Sequence, residues 1–239
     1  MAGIRGKECV STRGGLMDVG SYLRTTVEAR GLRFTRYADD CVIVVGSEAS
    51  AKRVMRTITD WIERKLGLKV NATKTHITKP NKLKYLGFSF WKDTEKWRAR
   101  PHEVSVHKFK KKLKELCKRS WSIDLSMRIQ KINAVVRGWI NYFAIADMKK
   151  SMTQIDKHLR VMMRVIIWKQ WKVPKKREWG LKKLGVKPWL AHEVSYIRGY
   201  MKATRLPQIK KAISKERLTR RGLVSPLDYY LERHALKLS

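Results

Sequence analysis

The sequence predicts an α+β protein in which a mixed segment comes first and an all-helical segment follows. Short β-branched and aromatic runs flank one amphipathic helix between residues 31 and 92. After Pro101 the apolar residues recur at helical spacing. The chain has 239 residues, 43% of them apolar, which is enough for one large or two small domains with a sizeable core.

A β-hairpin is predicted over residues 34–45, where two apolar runs enclose the adjacent acids Asp39 and Asp40. The amphipathic helix comes next, with Ser47 as its N-cap and Gly67 at its end. Its apolar positions are Val54, Ile58, Trp61, Ile62 and Leu66.

Two further strands are predicted, at residues 68–70 and 85–90. Gly87 lies inside the second of these strands and indicates a bulge or a close backbone approach. Before the hairpin, residues 21–31 predict a short helix that ends at Gly31.

Three amphipathic helices after Pro101 predict a small bundle, the third of them capped by Ser151. Aromatic and Met residues at this period are most simply core residues, whereas the lysine faces between them are either solvated or bound to an anion. The apolar positions are Val106, Phe109, Leu113, Leu116; Ile129, Ile132, Val136, Trp139, Ile140, Phe143; and Ile155, Leu159, Met162, Met163, Ile166.

A stretch rich in Trp and Lys follows, and its Pro and Gly residues predict a basic loop region. Its tryptophans either stack on RNA bases or pack onto the bundle, and the sequence leaves both open. These tryptophans are Trp168, Trp171, Trp179 and Trp189, and the breakers are Pro174, Gly180, Gly185 and Pro188. Weak helices near 190–203 and 207–216 and a clearer one over 226–237, with Ser225 as N-cap, complete the chain.

Charge is the strongest functional signal. Lys and Arg number 55 against 20 Asp and Glu, a net charge of +35. Residues 101–239 hold 34 basic and 10 acidic side chains, so +24 of the excess lies in the helical segment. Such a balance favours a nucleic-acid partner over the competing one, an anionic membrane surface. The sequence predicts no signal peptide and no membrane span.

Cysteine and histidine usage argues against zinc and disulfide scaffolds. Cys9, Cys41 and Cys117 are isolated, and no C-x-x-C occurs. We therefore expect a reducing, cytoplasmic setting, the interior of a bacterium or an organelle.

The adjacent acids Asp39 and Asp40 have two interpretations. Carboxylates at a hairpin tip are hard ligands suited to Mg²⁺ in phosphoryl transfer. Asp is also a common residue of polar β-turns. The dipeptide alone does not decide between them.

Four boxes in order resemble those of the group II intron-encoded reverse transcriptases with maturase activity. Tyr37-Ala38-Asp39-Asp40 resembles the polymerase metal box, and residues 67–75 the palm motif that follows it. Tyr85-Leu86-Gly87-Phe88 resembles the primer grip. Residues 136–143 and the helix to Trp171 resemble the maturase (thumb or X) domain.

The resemblance implies a partial polymerase palm followed by an all-α thumb/maturase bundle. It divides the chain into a remnant of the upstream palm (1–30), the palm's C-terminal part (31–100), the maturase bundle (101–175) and a basic helical tail (176–239). It makes Asp39 the chief Mg²⁺ ligand and catalytic residue, with Asp40 assisting. Lys74 would donate a proton or neutralise pyrophosphate, although a surface lysine is the simpler interpretation. Expected nucleic-acid contacts are Tyr37, Lys74, Gly87, Lys110, Lys111, Lys112, Arg137, Trp139, Lys169, Lys172, Lys175, Lys176 and Arg177.

The chain also departs from the family. The family palm carries another catalytic Asp on an earlier strand, and neither Asp18 nor Glu28 lies in such a context. Gly14-Gly15 resembles a remnant of the template-contacting box, with Thr12-Arg13 in place of Pro-Gln. We therefore expect a chain that lacks the fingers and one catalytic Asp.

Two hypotheses from different classes follow. One is an RNA-directed DNA polymerase that uses Mg²⁺. The other is a non-catalytic maturase that holds structured intron RNA, and a degenerate fragment is the third alternative. The expected partners are intron RNA and a DNA primer or target, together with a homodimer mate or a separate N-terminal half.

Overall fold

The computed structural model describes residues 2–5, 19–38, 40–71, 74–94 and 96–238. The chain divides into two compact units, Met1–Ala99 and Arg100–Ser239. The described part of the first unit mixes short strands with helices, and that of the second is helical. The predicted α+β class is therefore confirmed.

The first unit is built on a four-stranded sheet with the strand order β2-β3-β1-β4. Its strands are β1 (Ala2–Arg5), β2 (Arg33–Tyr37), β3 (Asp40–Val44) and β4 (His76–Ile77). Strand β3 pairs antiparallel with both β2 and β1. The predicted hairpin is confirmed, because Phe34 lies opposite Ile43 and Tyr37 opposite Asp40.

Two helices of the first unit end where glycine permits a left-handed backbone. Helix α1, described over residues 19–30, closes with a π-helical and a 3-10 turn and ends at Gly31, whose φ is 70°. Helix α2 (Glu48–Leu66) starts at Ser47, whose Oγ accepts a hydrogen bond from the Ser50 amide at 3.2 Å. It ends at Gly67, with φ 64°. The predicted caps are confirmed, since these glycines adopt a φ that a Cβ disfavours.

The core of this unit lies between α1, α2 and the sheet. Ile43 of β3, Leu23 of α1 and Ile58 of α2 are each at most 2% exposed and belong to one apolar cluster. The rings of Tyr22 and Trp61 stack at 3.8 Å between centroids and join the two helices. This packing supports the hairpin from one face.

The predicted strand at residues 68–70 is wrong. The backbone there is irregular, and the Val70 amide donates to Glu63 Oε1 at 3.3 Å. The amide is therefore bonded to a side chain of helix α2 instead of to a neighbouring strand.

The last predicted strand of the mixed segment begins later than expected. Strand β5 is Phe88–Lys92, and it pairs with β6 (Trp97–Pro101). Leu86 and Gly87 have φ values of 48° and 81°, and Tyr85 and Phe88 exchange backbone hydrogen bonds of 3.0 and 2.8 Å. Gly87 thus occupies a tight turn and not a bulge, the first of the two alternatives predicted for it.

The second unit begins with the predicted three-helix bundle, which is confirmed. Its helices are α3 (Glu103–Leu116), α4 (Leu125–Tyr142) and α5 (Lys149–Gln170). Ile132, Val136 and Ile140 recur at helical spacing on α4 and are fully buried. Helix α5 starts before Ser151, so the predicted cap is wrong. Its N-cap is Met148, which makes no side-chain capping hydrogen bond, and the Met148 amide donates to the Tyr230 hydroxyl at 3.2 Å.

Six further helices lie within the described residues 174–238. They are α6 (Pro174–Lys183), α7 (Pro188–Ser195), α8 (Tyr200–Arg205), α9 (Pro207–Ala212), α10 (Lys215–Arg220) and α11 (Pro226–Leu238). The predicted loop region after α5 is therefore wrong. Pro174 and Pro188 stand in the first turn of α6 and α7, where the missing amide has no intrahelical partner to lose.

Helix α11 packs against α4 and α5 and completes the core of the second unit. The buried Tyr230 hydroxyl donates to the Ala146 carbonyl at 3.0 Å. The side chain of Asn133 in α4 bonds to the Gly222 carbonyl at 2.7 Å and to the Val224 amide at 2.9 Å. As predicted, Ser225 caps α11, because its Oγ accepts from the Asp228 amide at 3.3 Å.

Candidate nucleic-acid interface

The acidic pair lies at the turn of the β2–β3 hairpin. Because Tyr37 and Asp40 are opposite residues, the connecting loop is two residues long. Ala38 has a φ of 51°, and its carbonyl accepts a hydrogen bond from Arg36 Nε at 2.9 Å. Left-handed backbone is typical of such short hairpin loops. Asp39 lies outside the described residues, and Asp40 is half-buried at the start of β3.

The hydroxyl of Tyr85 lies near Asp40. The sequence alone did not indicate a role for this hydroxyl. Burial, and then the charges of Cys41 and Asp40, raise the pKa of Tyr85. Its side chain is 9% exposed, and its hydroxyl has no hydrogen-bond partner among the described residues. The only sequence signal for it was its place in the Tyr-Leu-Gly-Phe box.

The described residues do not fit a complete two-metal site. Such a site needs several carboxylates around ions that lie about 4 Å apart. Within the described ranges, no group of three Asp, Glu, His or Cys side chains could hold a metal ion. Strand β1, which pairs with β3 and places Arg5 opposite Asp40, has no acid in its sequence Ala-Gly-Ile-Arg.

The other palm residues differ in accessibility. Tyr37 is 65% exposed beside the acidic pair. Lys74 is half-buried in a turn, where its amide donates to the Asn71 carbonyl and side chain at 3.1 and 3.2 Å. Gly87 is half-buried in the tight turn before β5. Tyr37 is therefore the most accessible of the three.

Helix α3 exposes a run of lysines on the outside of the bundle. Lys110, Lys111 and Lys112 are all exposed, and Lys112 Nζ lies 3.8 Å from Glu115 Oε2. An ion pair between exposed side chains at this distance is weak. The face therefore keeps a strong positive charge.

In the Arg137-Gly138-Trp139 motif, the arginine is exposed at the surface and the tryptophan packs against a neighbouring helix. Arg137 is exposed on α4, with its guanidinium carbon 5.9 Å from the Tyr229 ring centroid. Trp139 is half-buried and stacks on Phe109 of α3, with centroids 4.4 Å apart and an interplanar angle of 8°. Arg137 can reach an external partner, whereas Trp139 fastens α4 to α3.

Four predicted lysine contacts at the end of α5 and the start of α6 are exposed. They are Lys169, Lys172, Lys175 and Lys176. Lys169 Nζ donates to the Arg119 carbonyl at 2.7 Å, which ties the end of α5 to the segment after α3. The other three ammonium groups add positive charge beside the start of α6.

Arg177 was predicted to contact nucleic acid, and Trp168 was predicted either to stack on bases or to pack onto the bundle, but both are packing residues. Arg177 is 8% exposed and donates to the carbonyls of Ser195 and Lys172 at 3.3 and 3.2 Å. Its guanidinium carbon lies 5.1 Å from the ring centroid of Trp168, which is fully buried. We leave both residues out of the interface, because an RNA strand could not reach them without local unfolding.

Helices α6 and α7 pack together and carry exposed aromatic rings among lysines. Trp179 and Trp189 are 60% and 65% exposed, and Lys183 Nζ lies 5.0 Å from the Trp179 ring centroid. Tyr196, 58% exposed, is a ring that the sequence reasoning missed because it follows no basic run. We call Lys175, Lys176, Trp179, Lys183 and Trp189 the α6–α7 surface.

One acid links the two helices of this surface. Glu178 bonds to Lys182 Nζ at 2.6 Å and to His192 Nδ1 at 3.2 Å. The hydrogen bonds from Lys182 and then His192 lower the pKa of Glu178. The Glu178–His192 contact joins α6 to α7. Its two residues lie close in sequence to Trp179 and Trp189.

Comparison with known families agrees with this geometry. Residues 17–90 match the family model for reverse transcriptase (RNA-dependent DNA polymerase). Residues 106–185 match that for the group II intron, maturase-specific domain. No curated protein matches the chain significantly. None of the helices in the described ranges is long and apolar enough to cross a membrane.

The hairpin with its acidic pair and the matched sheet-and-helix unit define a protein of the reverse transcriptase class. The lysine-rich bundle that follows it in the sequence narrows the class of protein, because this bundle matches a domain specific to group II intron maturases. The chain belongs to the group II intron reverse transcriptase/maturase family, as the four sequence boxes predicted.

Proposed function

We propose that the 239-residue chain acts as a maturase that binds structured group II intron RNA and assists its splicing, and that it does not by itself copy RNA into DNA. The observation that carries the proposal is the concentration of exposed cations on the second unit. That unit includes the maturase-specific match, and residues 101–239 have a net charge of +24.

The chemistry of the exposed groups suits RNA. Lysines on α3 and on the α6–α7 surface can replace counterions along phosphates, and the exposed rings of Trp179 and Trp189 can stack on unpaired bases. Lys175 and Lys176 lie in the turn of α6 that precedes Trp179. The surface therefore offers both a backbone contact and a base contact.

Binding to a group II intron RNA tests the proposal. With about six phosphate contacts, affinity should fall about 10³-fold between 50 and 200 mM salt. Lys175→Gln/Lys176→Gln should weaken binding several-fold. The matched control, Arg64→Gln/Lys65→Gln on helix α2, removes the same charge from the first unit and should have little effect. Affinity that barely responds to salt, or equal losses in both variants, would contradict the proposed surface.

The polymerase half of the family activity requires a metal site. Reverse transcriptases generally use a divalent metal, and the resemblance assigns Mg²⁺ to Asp39 and Asp40. We propose that these two carboxylates alone do not support synthesis, because a two-metal site needs several carboxylates and strand β1, which pairs with β3 beside Asp40, carries none. Primer extension on poly(rA) with Mg²⁺ should give no product. Robust synthesis that disappears in Asp39→Ala would overturn this half of the proposal.

A DNA primer or target and a homodimer stay predictions of the sequence. Light scattering on the purified chain measures the dimer directly, and binding of a DNA oligonucleotide tests the second partner. We also propose that the chain works in the cytoplasm, that is, in the interior of a bacterium or an organelle.

A further inference from the structure

A groove between helices α3 and α5 shares Lys110 and Lys111 with the proposed RNA contacts at its rim, but its apolar floor has no part in those contacts. Helix α3 packs mainly against α4, whereas α5 packs mainly against α8 and α11. The groove left between α3 and α5 has a volume of about 540 Å³. This is within the range of about 300–1,000 Å³ that is usual for binding pockets.

The floor of the groove is aliphatic. Leu113, Ile155 and Leu159 are each at most 6% exposed, and Met162 and Cys117 complete the apolar surface. None of the residues lining this groove is Trp, Tyr or Phe. Single-stranded nucleic acid is usually held by stacking on aromatic rings, so this floor suits aliphatic side chains better than bases.

The rim of the groove is basic. His107, Lys110, Lys111 and Lys114 follow one face of α3 at the spacing i, i+3, i+4, i+7, and His158 faces them from α5. No Asp or Glu is among the residues that line the groove. An occupant must therefore combine apolar groups for the floor with negative charge for the rim.

The length of the groove fits a helix. From His107 to Cys117 helix α3 advances about 15 Å, which is the length of about 10 helical residues. Amphipathic helices bind apolar grooves through side chains at i, i+3, i+4 and i+7. A second copy of this chain does not fit the charge, because each copy carries a net +35.

We propose that the α3–α5 groove binds an amphipathic helix of a partner protein, with aliphatic residues on one face and acidic residues flanking them. The docked helix places its aliphatic side chains over Leu113, Ile155 and Leu159. Its carboxylates face Lys110, Lys111 and Lys114. The site is separate in chemistry from the α6–α7 surface, where aromatic rings are exposed.

The test uses a labelled peptide of about 16 residues, since shorter isolated helices are marginal in water. The peptide has leucines at i, i+3, i+4 and i+7 and glutamates on both flanks. Its scrambled isomer keeps the composition and charge but loses the stripe. Fluorescence anisotropy with the full chain should show binding at least about tenfold tighter for the patterned peptide. Equal binding of the two peptides would overturn the proposal, because charge alone would then explain it.

Two variants with the same substitution locate the site. Gln154→Trp places a bulky ring in the groove from an exposed position of α5, and should weaken peptide binding about tenfold. Gln130→Trp, at an exposed position of α4 outside the groove lining, should leave peptide binding unchanged. RNA affinity should be equal in both variants. If Gln154→Trp instead weakens RNA binding and spares the peptide, the groove is an RNA site and the proposal is wrong.

Discussion

Two glycines inside helices of the second unit should respond in opposite ways to the same substitution. Gly138 lies in α4, is exposed, and a Cβ added there would meet no atom within 4 Å. Gly180 lies in α6, is buried, and a Cβ would stand 2.8, 2.9 and 3.0 Å from three carbons of the Trp171 indole. Gly138→Ala and Gly180→Ala therefore separate helix propensity from packing.

The magnitudes follow from two terms. Replacing Gly by Ala inside a helix stabilises it by about 0.8–1.0 kcal/mol. At Gly138 this is the only term, so Gly138→Ala should raise the free energy of unfolding by about 1 kcal/mol. At Gly180 the rigid indole must shift, and overpacking costs about 1–3 kcal/mol. Gly180→Ala should therefore lower the free energy of unfolding by about 1 kcal/mol, a difference of about 2 kcal/mol between the variants.

Urea unfolding followed by tryptophan fluorescence and circular dichroism measures both changes. A double-mutant cycle assigns the cause: in a Trp171→Ala background, Gly180→Ala should become stabilising, as Gly138→Ala is. If Gly180→Ala is as stable as Gly138→Ala with Trp171 present, the indole moves aside without cost. The close approach of α6 to Trp171 would then not constrain the fold.

Three other substitutions or conditions have defined outcomes. Arg128, 1% exposed, donates to the carbonyls of Leu116, Lys118 and Trp121, so Arg128→Met should destabilise the chain by about 3 kcal/mol in urea unfolding. Tyr230→Phe should cost about 1–3 kcal/mol, because the Ala146 carbonyl and Met148 amide lose a buried partner. Burial raises the pKa of Cys41 and of Cys117 from 9.0 to about 11, so stability is fully present below pH 9 and should fall as pH rises from 9 to 11.

Each of these outcomes has a control. Lys131→Met removes an exposed cation from the same helix as Arg128 and should change stability by less than about 0.5 kcal/mol. Tyr229→Phe removes a hydroxyl that donates to Asn141 Oδ1 in an exposed contact and should likewise be nearly neutral. Cys117→Ala should flatten the alkaline loss, after allowance for the small cavity. Equal losses in target and control variants, or an unchanged alkaline slope, would contradict the assigned contacts.

Strong local signals made much of the fold predictable. The helices α2 to α5 have apolar residues at a period that only a helix places on one face. Gly31 and Gly67 ended helices where expected, since few other residues adopt the required φ. The hairpin carrying Asp39 and Asp40 was also predictable, because two β-prone runs flank it with a two-residue interval.

The errors arose where tertiary contacts outweighed local preference. Val70 bonds to Glu63, a partner seven residues away that no strand pattern reveals. Pro174 and Pro188 were interpreted as breakers, although proline equally starts helices, and the packing of α6 on α7 decided between the two. Burial of Arg177 depends on carbonyls at Lys172 and Ser195, so its charge alone did not distinguish it from its exposed neighbours.

The contacts of helix α11 have a consequence for dissecting the protein. Tyr230, His234 and Asn133 join residues that are 84 to 90 positions apart in the chain. The maturase-specific match ends at residue 185, before the helix that covers one side of its own core. During synthesis about fifty more residues must be added after residue 185, at about 5–20 residues per second, before α11 can cover that side. A recombinant fragment cut at the family boundary would expose this side permanently, so excision of the domain should include α11.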